Sequence, residues 1–532
     1  MPVVGIDLGT TYSAVAYLDE MKKPLIAPNS EGANITPSVV YFESATNIIV
    51  GEHAKNVSEA YPDLVVEFVK NHMGQAGDSH KWTFHEQEYR PETISAMILR
   101  KLKKDAEENV GQPITGAVVT VPAIFGEAER KATRDAAAIA QIEVIDILDE
   151  PVAAALSYGL ARAGSRKTEN ILVYDLGGGT FDLTIMRVSD NEISMLHTDG
   201  DRQLGGKLWD DEIMNHVGEL FEKQHGADPH DSPDSLQSLR LAAESAKRQL
   251  TQKEKAALKC DHAGKSLRVE ITREEFERMT AHLLKRTETI SELAVNEIVS
   301  KGRLRGWDDI SQILLVGGSS RMPQVSAMIR RISGKEPKLL DPDLAVAKGA
   351  ALYSEMKLLR LARDTGDKRA LAQHGIDAAD EALLPKAKVT RVCSFALGNK
   401  TLVSEPDAPK KEYMNSILIE RNTPLPAQGK GTFYTVEDGQ RIVRIEVLEG
   451  EDPEPDHCVK LGEGFIKGIP PGLPKSSPLE VTFELNDESL IHVHAVETTH
   501  GTSCTFELKR ATGQDDVAIR RATQELARKT VA

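Results

Sequence analysis

The sequence predicts an α/β part through about residue 360, followed by an all-β sandwich. Three observations predict this. Short apolar runs alternate with amphipathic helical stretches over the first 360 residues. A strand ending in Asp-Leu-Gly occurs twice, in "GIDLGTTYS" from Gly5 and in "VYDLGGGTFDLT" from Val173. Beyond about residue 390 the hydrophobic period falls to two, which is the period of a half-buried strand.

The elements follow in chain order. "VVGID", "AVVTVPA" (Ala117 to Ala123), "NILVYDLG" and "QILLVGG" are short and apolar and read as buried strands. "PETISAMILRKLKKDAEENVG" opens with Pro91 and closes with Gly111, and places Ile94, Met97, Ile98 and Leu102 at helical spacing. "LQSLRLAAESAKRQL" and "LAVAKGAALYSEMKLLRLAR" also read as helices. Residues 361–390 are charged and aperiodic, as expected of a linker or a lone peripheral helix. Over 391–510, "QRIVRIEVLEG" puts Val443, Ile445 and Val447 on one face, and "LEVTFELND" does the same with Leu479, Val481, Phe483 and Leu485. Gly, Pro and Asn-Asp turns separate such runs, which predicts a sandwich. Residues 511–532 read as one short charged helix.

Composition narrows the partners. The 532 residues carry 81 acidic against 65 basic side chains, a net charge of −16 and a pI near 5.5. That balance argues against a large nucleic-acid or anionic-membrane surface. The four cysteines are scattered and form no CxxC pair, which fits a reducing compartment. Neither a leader-type N-terminus nor a bilayer-length apolar run is visible, so a cytoplasmic protein is expected.

The repeated Asp-Leu-Gly turns carry the chemistry. Glycine lets backbone N–H groups close around a phosphate. A carboxylate beside that phosphate makes sense only with a hard cation between them, and Mg²⁺ keeps waters that carboxylates grip. Asp7 and Asp175 would therefore face one metal–nucleotide from two sides. Neither turn is a Walker A loop, because no Gly-Lys-Ser/Thr follows. A third turn, "ILLVGGSSRMPQV", joins a buried-type strand through Gly317 and Gly318 to a helix opening near Pro323, and would bring backbone close to a sugar or base.

"GIDLGTTYS", "DEPVAAALSYG", "VYDLGGGTFDLT", "LGGKLWD", "AAESAKRQL" and "ILLVGGSSRMP" together resemble, in order and spacing, the heat-shock protein 70 (DnaK-type) chaperones. The resemblance extends more loosely through "IERNTPLP", "RIVRIEVLEGE", "IKGIPPG" and "LEVTFELND". It implies a duplicated, two-lobed actin-like ATPase fold that holds ATP or ADP with Mg²⁺, followed by a peptide-binding-type β-sandwich. By that resemblance Asp7 and Asp175 would hold the waters of Mg²⁺, and Lys70 would reach the γ-phosphate and the attacking water. Glu150 and Thr180 would help to place metal and water, with Asp182 behind them. Gly9, Thr10, Thr11 and Tyr12 would line the phosphates, and Gly177, Gly178 and Gly179 would form the phosphate nest. Glu244, Lys247, Arg248 and Thr251 would contact ribose and adenine, and Gly206, Gly317, Gly318, Ser319, Arg321 and Asp343 would complete the nucleoside wall. Leu402, Phe433, Val436 and Val443 would form the cleft for extended apolar polypeptide. A J-domain co-chaperone and a nucleotide exchange factor are the implied partners, with no nucleic acid and no membrane.

The sequence departs from that pattern at four places. Only a short helix follows the sandwich, where the family continues into a helical lid. Lys386, Lys388 and Arg391 replace linker leucines and an acid, so a docking linker is expected to lose most of its apolar burial; Leu383 and Leu384 just upstream are possible substitutes. Lys207 stands where an acid is usual, and Asn399 and Lys400 alter the first strand of the peptide cleft. The leading expectation is an ATP-dependent chaperone that hydrolyses ATP slowly. The alternative is an ATP-switched scaffold or regulatory protein with one dedicated partner.

Overall fold

The computed structural model describes all residues except 1, 76–79, 162–167, 190–191, 367–368, 375, 378, 380–383, 385–387, 404–411, 470, 487–489 and 509–515. Two sheets of the same topology form the first part. In one, strand Val3–Asp7 runs antiparallel to Tyr12–Leu18, which pairs with Pro24–Ile26; on its other side it runs parallel to Gly116–Val121 and then Glu143–Asp149. In the other, Glu169–Leu176 pairs antiparallel with Phe181–Val188 and then Glu192–Asp201, and parallel with Gln312–Val316 and then Lys338–Leu339. Strand for strand the order is the same, so the chain contains a duplicated lobe. The central strands are Val- and Ile-rich and buried on both faces, as parallel strands flanked by helices must be.

Two helices join the lobes. Ala345–Thr365 packs on strand Val3–Asp7 and on helix Glu150–Ala161. The contact is alanine-rich and tight: a Cβ on Gly349 would lie 1.8 Å from the Ala153 carbonyl oxygen. Glycine there is a packing requirement, since only a hydrogen fits between the two backbones.

The segment expected as a linker is partly structured and packed. Helix Ala345–Thr365 runs past residue 360, and a short helix Arg369–His374 follows. Leu371, Ile376 and Leu384 are buried against Val3, Leu352 and Leu358. Their irregular spacing hides them from a periodicity search. Leu383 and Lys386 lie outside the described residues. Strand Lys388–Thr390 then adds in parallel to the edge of the second lobe, opposite Glu192–Ser194. The expected loss of burial is met in two ways. Backbone pairing holds the strand, while Val389 and the buried Val392 reach the lobe's core. Arg391, also buried, donates from Nη1 to the Ile147 carbonyl at 3.0 Å and lies close enough to Asp146 to lower the latter's pKa.

Two four-stranded antiparallel sheets make the sandwich. One has the order Tyr413–Ile419, Leu397–Leu402, Ile442–Glu449, Val459–Lys467; the other is Ala427–Tyr434, Pro478–Leu485, Ile491–Glu497, Ser503–Glu507. Val443, Ile445, Val447, Leu479, Val481, Phe483 and Leu485 fill the space between them. Helix Asp516–Ala527 packs on helix Glu127–Ile139 of the first lobe, and strand Thr530–Val531 extends that lobe's edge beside Asn47–Val50. Lys529, nearly buried, donates to the Ala45 carbonyl, Gln87 Oε1 and Tyr89 Oη.

Candidate nucleotide site between the lobes

The two aspartate turns face each other across a cleft of about 1100 Å³. Each acid sits at the C-terminal end of its lobe's central strand, where open α/β sheets present their binding residues. Of the residues expected to bind nucleotide or metal, all line the cleft except Gly179 and Gly206. Those two stand directly behind it: a Cβ on Gly179 would meet Asn71 Oδ1 at 2.5 Å, and one on Gly206 would meet Ser319 Oγ at 2.1 Å.

Electrostatics are the site's dominant feature. Lys70, in the turn Val69–His72, is buried and donates to Glu150 Oε1 at 2.7 Å. Glu150 is the first residue of its helix, a position where the helix dipole favours a carboxylate. The hairpin register sets Asp175 opposite Asp182, with the two acids side by side. Asp182 accepts from the Ile124 backbone N–H at 3.0 Å, and its other carboxylate oxygen has no partner. Burial, and then the Glu150 charge, push Asp7 and Asp182 up to about 7, and push Asp175 well above the usual carboxylate range. The Thr120 hydroxyl, 3.2 Å from Asp7 Oδ1, only partly offsets this.

Such a cluster of crowded oxygens fits a divalent cation, which would favour their ionised forms. Among the described residues no group of three or more His, Cys, Asp or Glu gathers as a metal cage. A cation held here would therefore lean on Asp7, Asp175, waters and phosphate oxygens, as Mg²⁺ does. The two glycine turns meet closely: a Cβ on Gly178 would lie 2.4 Å from Cγ2 of the Thr11 side chain, so only glycine fits where that side chain packs.

The nucleoside side is built from one helix. Pro233–Leu250 presents Glu244, Lys247 and Arg248 to the cleft. Lys247 donates to Asp210 Oδ2 and to the Gly206 carbonyl, both at 2.8 Å. Tyr12 donates to Glu244 Oε1 at 3.1 Å, and Lys55 reaches both Tyr12 Oη and Glu244 Oε2. Arg321 pairs with Asp343 beside Gly317 and Gly318. Lys55, Asp210 and Phe68 also line the cleft and were missed by sequence reasoning. Asp210 was within reach, three positions after Lys207 in a motif already in view. Lys55 carries no such signal, because its role depends on a partner 189 positions away.

The site also connects to the sandwich. Arg130 donates to Asp149 Oδ1 at 2.5 Å and to the Phe125 carbonyl. The buried Glu449 of the β-domain accepts the Glu127 backbone N–H at 3.2 Å, at the N-terminus of the same helix. Ser394 donates to the Ala123 carbonyl, and Arg421 to Asp199. Asn422 accepts the Thr198 N–H and lies 3.0 Å from His197 Nδ1. Burial holds His197 down at about 4, so its ring is neutral.

The four expected peptide-cleft residues are less gathered. Val443 is buried in the sandwich core with Phe433 packed on that cluster, while Leu402 and Val436 are half-buried outside it. Residues 404–411 lie outside the described residues. Asn399 is buried and accepts the Glu446 N–H at 3.3 Å. Lys400 lies 5.0 Å over the Tyr413 ring.

A duplicated two-lobed α/β fold with paired aspartate turns, joined to a β-sandwich, defines an actin-like ATPase carrying a second domain. The Hsp70 protein family matches residues 3–83, 78–360 and 410–531. The chaperone protein DnaK of Thermosipho melanesiensis is 38% identical over 512 residues, covering 95% of this chain and 79% of that protein. DnaK of Thermotoga neapolitana is 39% identical over 508 residues, 94% of this chain and 79% of its own, and DnaK of Thermosipho africanus 36% over 525, 97% and 81%. The chain belongs to the Hsp70 family, is of the DnaK chaperone type, and is an ATPase. Among the described residues no helix is long and apolar enough to cross a membrane.

Proposed function

We propose that the chain binds Mg-ATP between its lobes, hydrolyses it slowly, and uses the nucleotide state to bias binding of extended apolar polypeptide in the β-domain. The observation that carries this reading is the convergence of Asp7, Asp175 and the Lys70–Glu150 pair in one cleft. Phosphoryl transfer to water asks the protein mainly for positioning and charge neutralisation. Lys70, fixed by Glu150, presents its ammonium group to the γ-phosphoryl group and the in-line water. Thr180 lines the same wall, and the glycine turns supply N–H donors to the phosphates. A bound Mg²⁺ would supply neutralising charge, its waters gripped by Asp7 and Asp175. Glu244, Lys247, Arg248 and Thr251 would hold ribose and adenine against Gly317, Gly318, Ser319, Arg321 and Asp343.

In the β-domain Leu402, Phe433, Val436 and Val443 would take the apolar segment. A J-domain protein and an exchange factor would act on the cycle, in the cytoplasm. The alternative, an ATP-switched scaffold with one dedicated partner, draws on the core position of Val443 and the polar groups at Asn399 and Lys400. Single-turnover hydrolysis with and without a short apolar peptide separates the two. Acceleration by varied peptides supports the chaperone cycle, whereas hydrolysis indifferent to peptide supports the scaffold.

A further inference from the structure

Phe68 lines the cleft two positions before Lys70 and adopts a left-handed backbone, with φ 58° and ψ 26°. That conformation is unfavourable for a bulky L-residue and persists only where surroundings enforce it. Much of what enforces it comes from the other lobe. Lys207 Nζ, in the first turn of helix Gly206–His225, lies 5.6 Å from the Phe68 ring centre. Arg240 Cζ, on helix Pro233–Leu250, lies 5.9 Å from it, and the buried Arg240 Nε has no hydrogen-bond partner. Next to the ring, Gln237 of the second lobe donates to Glu67 Oε2 at 2.9 Å and to Ser58 Oγ at 3.0 Å. Lys207 Nζ also lies 3.5 Å from Asp211 on its own helix.

We propose that Phe68 is a positioning residue and an interlobe latch: Lys207 and Arg240 grip its ring, so lobe closure, slow nucleotide release and the placement of Lys70 are one event. The negative face of an aromatic ring attracts a cation and repels an acid. Lys207 therefore makes a contact that a carboxylate at that position could not. When the lobes part, Phe68 loses both cations, its left-handed backbone keeps only the support of its own turn, where the Asn71 N–H donates to the Phe68 carbonyl at 3.0 Å, and the segment carrying Lys70 is freer to shift.

This inference rests on reading the cleft as the ATP site, and the experiment keeps the two apart. Release of a fluorescent ADP analogue is followed by stopped flow for the full chain and for Phe68→Leu, Phe68→Trp, Lys207→Met and Arg240→Met. Loss of one cation–ring contact, ~0.5–2 kcal/mol, should speed release by ~2–30-fold. Phe68→Trp should hold near the parent rate. The double variant Phe68→Leu/Lys207→Met should release no faster than Phe68→Leu alone, since the ring is what the lysine grips. Phe68→Leu should also slow single-turnover hydrolysis at saturating ATP, a loss in kcat that weaker binding alone does not produce. Lys207→Met and Arg240→Met alter half-exposed side chains, so they decide the matter even if Phe68→Leu folds poorly. Parent-like release in both cation variants, or multiplicative effects in the double, would overturn the latch and leave the ATP reading standing. A parent chain that does not hold the analogue would overturn both.

Discussion

The cleft between the lobes and the β-domain face expected to take peptide both belong to the family resemblance, yet the structure treats them differently. In the cleft the motif residues converge, and buried charge does the gathering: Lys70 on Glu150, Lys247 on Asp210, Lys55 on Glu244. In the β-domain the expected residues divide between core and surface, with Val443 inside and Leu402 half-exposed. A site built from ion pairs needs all its members in place, because an unpaired buried charge is costly. A site lined by apolar side chains has no such constraint, since the same residues also serve as sandwich core.

The largest test of that contrast is Lys70→Ala. Removing one preorganised charge from a developing phosphoryl charge costs about 10²–10³-fold in rate. Single-turnover hydrolysis should fall by that factor while equilibrium ATP binding changes far less. A loss in binding as large as the loss in rate would mean that Lys70 holds the ground state and not the reacting one.

The contact between the two regions comes next. Glu449 lies on the sandwich side, and burial pushes it up to about 8, with the Glu129 charge adding to the shift and Arg202 and Arg130 opposing it. A carboxyl whose docked pKa lies above its free value takes up a proton on docking. Docking is then strongest at low pH, weakens by about tenfold per pH unit from ~4.5 to ~8, and levels off above that. A dye pair across the two domains, read in dilute urea at pH 6.5, 7.5 and 8.5, should show a larger increase in separation between the first two values than between the last two. In Glu449→Gln the dependence should flatten over that window.

Attachment through the C-terminal segment should be weaker but measurable. In Lys529→Met the Ala45 carbonyl and its polar neighbours lose a buried donor, worth ~1–3 kcal/mol. Hydrogen exchange of the amides in helix Asp516–Ala527 should speed accordingly, with those of the cleft strands unchanged. Equal speeding in both would show that the segment supports the whole first lobe.

Much of this was legible in the sequence, for identifiable reasons. The lobes announce themselves because a glycine turn after a buried strand is a local signal, and it occurs twice. The sandwich faces were legible because period two survives any packing partner: Leu479, Val481, Phe483 and Leu485 are buried together. What escaped was long-range or irregular. Leu371, Ile376 and Leu384 bury a segment that reads as linker, and the Lys55–Glu244 and Arg240–Phe68 contacts form only when the lobes meet. The linker strand defied its composition because backbone pairing to Glu192–Ser194 is indifferent to side chains.

The smallest expected effect lies on the β-domain face proposed to take peptide, at Lys400. Its ammonium group stands 5.0 Å over the Tyr413 ring, 3.6 Å from Asp456 and 4.0 Å from Glu446, two positions before Leu402 on the same strand. A partly exposed charge in that position biases a ligand's flanking charges and leaves its apolar centre alone. Peptides of one apolar core flanked by Asp should therefore bind more tightly than the same core flanked by Lys, and Lys400→Glu should invert the order. Exposed pairs are worth ~0.2–1 kcal/mol, so each preference should be only about 1.5- to 5-fold. It should shrink further at 1 M salt, where the screening length falls to about 3 Å. A preference that survives high salt, or one that Lys400→Glu leaves in place, would move peptide recognition away from this strand and return Leu402 to the status of an ordinary strand-end residue.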